Sequence, residues 1–292
     1  MNLELRYKIK NNHLEVLKLA LKCMIFAVVV CFFSMLCHVV DSAFIQDVHG
    51  KPEFVKTTLW IYSMVEKILL AVGYIVLGYK IPIENNRLRG FTYIMLVWAS
   101  NFLPQIMGLG GADGPIAAMA FSLSTVVCDS LSYVMAGLLI GGLFKKRFIK
   151  PRRSCNKVAY GKTIILSAIG FPLLVILGDQ IMERLYAPFA SAAAMGVSDE
   201  KRMSFYITFY SWFILSGALI AVFYRVTEYN EGDNKGWLRF AIKYIFLLWA
   251  PIVLIMIVFG TEIMPTVVYT LLFAIYILVI CWVNGKLLDN PS

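Results

Sequence analysis

Histidine is nearly missing from this chain, with three in 292 residues, and acids are scarce, 18 Asp and Glu against 27 Lys and Arg. Six cysteines (Cys23, Cys31, Cys37, Cys128, Cys155, Cys281) stand apart with no CxxC pair, and no HExxH run occurs. Those gaps exclude the common zinc-hydrolase, zinc-ribbon and dithiol-redox patterns. No metal, cofactor or structural disulfide is expected. The glycine-rich run at 108–115, GLGGADGP, lacks the Lys-Ser/Thr that would make it a phosphate loop. It reads as a tight turn in which Asp113, Gly114 and Pro115 start a helix. No local signature marks a serine or cysteine nucleophile. Nor is any polar stretch long enough for a separate soluble domain of ~50 residues.

What fills the chain instead is apolar. Hydrophobic residues make up 60% and the mean hydropathy is +0.74, beyond a soluble globule, whose apolar share is about half. The reading is an all-α polytopic membrane protein, one transmembrane domain over residues 1–292. About eight transmembrane helices are expected, at 19–44, 57–79, 91–108, 116–144, 163–185, 203–225, 240–260 and 265–285. The first apolar run outlasts the ~7–15 residues of a signal sequence and lacks a small-x-small site, so it reads as a retained span. The alternation at residues 3–10 suits a short strand or an interfacial segment. No internal repeat is evident by eye.

Orientation follows from one stretch. Residues 145–162, from Lys145 to Lys162, hold eight Lys/Arg and no acid. Basic loops beside membrane spans stay on the cytoplasmic side. With that loop inside, 21 of the 27 basic residues fall in inner segments and four in outer connections. Both termini are therefore expected in the cytoplasm, most simply at a bacterial inner membrane. Topology accounts for the +9 charge without a nucleic-acid partner. The expected partners are the lipid bilayer, with anionic lipid at the basic loop, and a proton or cation.

Chemistry should lie where ionisable groups interrupt apolar spans, since each costs ~2.5–3.5 kcal/mol at the bilayer centre. Candidates are His38, Asp41, Glu66, Asp129, Asp179 and Glu183, with Asn101 and Gln105 as polar companions. Lys67 and Arg184 are the bases among them, and adjacency suggests that Glu66 and Lys67 cannot easily meet one partner. His38 and Asp41 share a helix face, as do Asn101 with Gln105 and Asp179 with Glu183. Ser122, Thr125, Asp129 and Ser132 make a polar stripe on span 4. Asp129 alone is expected near the membrane centre; the others lie in outer halves. Together they suggest a net acidic cavity facing outward and closed toward the cytoplasm. Pro172 is a possible helix break. Trp60, Tyr62, Tyr186, Tyr206, Tyr210 and Trp212 suit an outer aromatic belt.

Three functions compete on these grounds. The first is a transporter of small or lipid-like solutes, coupled through carboxylates. The second is an intramembrane hydrolase using Asp129 and Asp179. Two-aspartate membrane proteases invite that comparison, but only Gly178 and Asp179 match: Ile176 stands where their pattern takes Gly, and Cys128 where it takes Tyr. The third is a non-catalytic assembly, sensor or immunity-type protein.

Overall fold

The computed structural model describes residues 3–39, 53–101, 123–145, 157–186, 202–228, 235–249 and 263–289. All the regular structure among them is helical, in eight helices. These are α1 (Leu3–His38), α2 (Glu53–Val76), α3 (Asn86–Asn101), α4 (Leu123–Leu143), α5 (Lys157–Tyr186), α6 (Arg202–Thr227), α7 (Gly236–Tyr244) and α8 (Ile263–Asp289). A 3₁₀ turn (Gly78–Lys80) follows α2, and a π-turn (Ile245–Trp249) continues α7. Five helices contain stretches long and apolar enough to cross a membrane: His13–His38, Trp60–Lys80, Val158–Gly178, Tyr210–Thr227 and Thr270–Leu288. A sixth, Val127–Leu143, is apolar but shorter. The architecture is that of an integral membrane protein.

Local chemistry moves several boundaries from where hydropathy alone puts them. Residues 3–10 are helical and continuous with α1. Helix α3 begins at Asn86 rather than near 91 because the Asn85 side-chain oxygen accepts the amides of Arg87 and Leu88, at 2.9 and 3.2 Å, as an N-cap does. Arg89, 1% exposed, turns back to donate to the carbonyls of Ile83 (2.7 Å) and Glu84 (3.3 Å) and so ties down the preceding loop. Helix α5 starts inside the basic stretch and runs unbroken through Pro172. The Gly108–Pro115 turn, the centre of the basic loop and the connection after Tyr186 lie outside the described residues.

Small residues set the closest helix contacts. A Cβ on Gly141 would collide with the Asn86 carbonyl and the Arg87 backbone, and one on Gly90 with the backbone of Gly137 and Gly141. Gly137 and Gly141 are four apart, so one face of α4 lets α3 approach to backbone contact. Gly217 does the same for α6 against Ser167 and Phe171 of α5.

The packing has a period that the residues first hide. In α1–α4 the first helix packs on the second and fourth, and the third on the fourth. In α5–α8 the same three pairings recur. Contacts across the seam obey the same exchange: α3 meets α6, and the π-turn of α7 meets α2. Alignment on this basis exposes a match. Leu88-Arg89 faces Leu238-Arg239, and Tyr93-Ile94-Met95-Leu96-Val97-Trp98-Ala99 faces Tyr244-Ile245-Phe246-Leu247-Leu248-Trp249-Ala250. Five of those last seven positions are identical. The second copy carries one extra residue between the two matches, and the π-turn follows directly after it, within the second match. A single insertion in a helix is absorbed as a π-bulge. The two sets of four helices thus repeat one packing scheme and share this short matched segment, where no repeat was evident by eye.

Aromatic rings fill the seam. Tyr74 of α2 meets Tyr93 of α3 edge-on with centroids 5.5 Å apart, Tyr93 meets Phe223 of α6 at 5.9 Å, and Phe223 meets Phe240 of α7 at 5.9 Å. Trp212, expected in the outer belt, is instead 3% exposed and stacks edge-on against Phe213 at 4.7 Å. It belongs to the core. Trp60, 45% exposed, keeps a belt position.

Candidate functional site

Three helices bring their ionisable side chains to one place. His38 ends α1, and its Nε2 lies 3.1 Å from Asp129 Oδ1 on α4. One residue before Asp129, the Cys128 thiol donates to the Cys37 carbonyl at 3.0 Å, so two adjacent bonds clamp α4 to the end of α1. On α2, Glu66 accepts from the Tyr133 hydroxyl of α4 at 2.7 Å through Oε1, and from Lys67 at 2.8 Å through Oε2. The Lys67 ammonium sits 4.9 Å from the centroid of the Tyr133 ring and within electrostatic reach of Asp129. Cys31 and Ser63 add a 3.3 Å contact between α1 and α2.

Helix geometry explains the convergence. Asp129 and Tyr133 are i and i+4 on one face of α4; the first reaches α1 and the second reaches α2. Glu66 and Lys67 leave α2 roughly 100° apart, yet both meet Tyr133, contrary to the sequence expectation. The four-carbon lysine stem folds back across the ring while its ammonium closes on Glu66. The result is two neighbouring polar groups, His38–Asp129 and Lys67–Glu66–Tyr133, within electrostatic reach of each other in an apolar setting. Lys67 and His38 are nearly enclosed, while Asp129 and Glu66 keep side-chain exposures of 24% and 17%. The carboxylates are the less enclosed members.

Distances along the helices fix the depth. Lys22 to His38 on α1, Tyr79 to Glu66 on α2 and Phe144 to Asp129 on α4 each span roughly 20–24 Å at 1.5 Å per residue. All three are measured from the end that bears the basic loop, and they place Asp129 level with His38. The network is also less acidic than expected, because Lys67 turns into it. Ser132, counted in the polar stripe, instead donates to the Cys128 carbonyl of its own helix at 2.9 Å, a common habit of helical serines.

The remaining candidates fall differently. Asp41 and Gln105 lie outside the described residues, as does Ser122. Asn101 ends α3, and Asp179 and Glu183 lie on the last turns of α5; the positions of their side chains are not described. Helix α5 packs on α6 and α8, whereas α4 packs on α3 and α1.

Sequence reasoning missed two clusters. Glu228, 3% exposed at the end of α6, binds Lys80 at 2.6 Å and Lys243 of α7 at 2.5 Å through one oxygen. Loop charge counting treated this region as balanced, and only the fold shows that the acid is buried under two lysines. Deeper, the Ser167 hydroxyl of α5 donates to Asn284 Oδ1 of α8 at 2.8 Å, with Asn284 fully buried. No i,i+4 signal marks that pair, because its members are 117 residues apart. Comparison with protein-family profiles, curated proteins and solved structures finds no match to this chain.

Proposed function

We propose that this is a multi-pass membrane transporter with both termini on the cytoplasmic side, in which the His38–Asp129 and Glu66–Lys67–Tyr133 network takes up and releases a proton or cation in step with a small or lipid-like solute. The observation that carries the reading is convergence. Ionisable groups from three separate helices meet roughly 20–24 Å from the basic end, where unpaired charge is costly. Two carboxylates are the less enclosed members of that network, as exchange requires. Each sits beside a proton-carrying partner, His38 for Asp129 and Tyr133 for Glu66. Two four-helix sets that repeat one packing scheme also suit a carrier, since such halves rock about a shared axis. The two-aspartate hydrolase gains nothing comparable, since Asp129 is engaged by His38 and the helix carrying Asp179 packs elsewhere.

The test uses purified protein in liposomes that trap a pH-sensitive dye, challenged with a panel of organic cations, organic anions and short-chain lipids. A coupled carrier shifts the lumenal pH with at least one of them. Asp129→Asn and Glu66→Gln should each abolish that shift while the yield of folded protein stays near wild type. If both variants instead lose yield and thermal stability together, the acids only hold helices and the reading fails.

A further inference from the structure

The seam between the two four-helix units holds charges and hydroxyls that the far-end network does not use. Lys80 belongs to the first unit; Glu228, Lys243 and Arg239 belong to the second. One buried carboxylate oxygen holds the two lysine ammoniums at 2.6 and 2.5 Å, and both Lys243 and Arg239 are close enough to repel Lys80. Two lysines, one from each unit, therefore share one buried carboxylate oxygen. The cross-seam bond exists only because Glu228 outweighs the push between like charges. Lys80 and Lys243 remain 25% and 28% exposed, so water reaches the latch from the basic end.

Behind the latch lies the aromatic layer. Tyr74, on the last turn of α2, lies six residues before Lys80 of the following 3₁₀ turn, roughly 9 Å deeper. Its hydroxyl and that of Tyr93, at 1% and 0% exposure, have no hydrogen-bond partner among the described residues. The counterpart of Tyr93 in the short matched segment, Tyr244, instead reaches across the seam to Ser100. Closed, the seam leaves both phenols without a partner among the described residues; opened, it would wet them.

Resting on the transporter reading, we infer that the seam is the gate at the basic end: the Lys80–Glu228–Lys243 latch and the Tyr74–Tyr93–Phe223 layer close a path between the two units. Release of Glu228 leaves Lys80 and Lys243 to repel each other across the seam and parts it, admitting water to Tyr93.

The experiment uses the full chain with its six cysteines replaced and Tyr93→Cys added, in permeabilised membranes, with a membrane-impermeant maleimide. Labelling at position 93 should be slow with Glu228 present. It should rise at least about ten-fold with Glu228→Gln, and return to the slow rate in the exchange Lys80→Glu with Glu228→Lys. Equal labelling in all three overturns the inference. Should Glu228→Gln not fold, the Tyr93→Cys chain alone is labelled at about 0.1 M and about 1 M salt, where screening weakens the exposed side of the latch. A rise supports the latch, and no change overturns it. Transport is not the readout, so an unmoved seam would leave the far-end network to be judged by its own assay.

Discussion

Tyr133 is the residue on which the network turns. Its hydroxyl donates to Glu66 and its ring carries the Lys67 ammonium, so one side chain joins a carboxylate and a cation that neighbour each other in the chain. In an apolar interior an unpartnered carboxylate oxygen is the expensive outcome, and the net worth of a bond to a charged group is about 1.5–3 kcal/mol. Tyr133→Phe removes the bond and keeps the ring. It should lower the melting temperature of the purified protein by several degrees, read by intrinsic fluorescence, while Tyr62→Phe on the same helix as Glu66 gives a smaller change. The sequence marked Asp129 and Glu66 because charge in an apolar run is conspicuous. Tyr133 was invisible to that logic, since tyrosine is ordinary in a membrane helix, although its i+4 relation to Asp129 was available. The buried hydroxyls of Tyr74 and Tyr93 escaped notice for the same reason. Burial, not residue type, makes them significant.

Among the helices, α3 and α4 show how contact is written in small residues. Gly90, Gly137 and Gly141 bring two backbones together where any side chain would collide with main-chain atoms, and main chain cannot step aside as a flexible side chain can. Gly141→Ala should therefore destabilise by about 1–3 kcal/mol, the usual cost of overpacking. Gly142→Ala, whose added methyl meets nothing within 4 Å, should be neutral or slightly stabilising in thermal unfolding. Equal changes for both would show that close approach does not govern the site. An all-helical chain with several membrane-length apolar helices was legible in hydropathy, because burial in lipid demands runs of apolar residues; of the eight spans expected, five are long and apolar enough among the described residues. Helix ends were not, because they depend on single polar contacts such as the Asn85 cap and the Arg89 fold-back. Of the two readings of residues 3–10, the strand failed, because eight residues carry too short a pattern to outweigh a helix that continues beyond them.

At the scale of the molecule, the repeated packing scheme is the largest feature that unaided inspection of the sequence missed. Apolar positions tolerate exchange among Leu, Ile, Val and Phe, so membrane helices can share a packing scheme with little identity. What the two sets share in sequence is the short aromatic and charged segment of α3 and α7, and a one-residue shift hid even that. Among the described residues the far-end network draws on the first unit, while in the second α5 and α8 meet through Ser167 and Asn284 and through Gly178 and Tyr276. All of this presumes that the network is wet and opens on the side opposite the basic loop. The most direct measurement places single cysteines at Asp129→Cys and Lys162→Cys in a chain otherwise free of cysteine and labels sealed cells with an impermeant maleimide. Position 129 should react in intact cells, and position 162 only after permeabilisation. Position 129 remaining silent in both states, or reacting only when 162 does, would contradict the account.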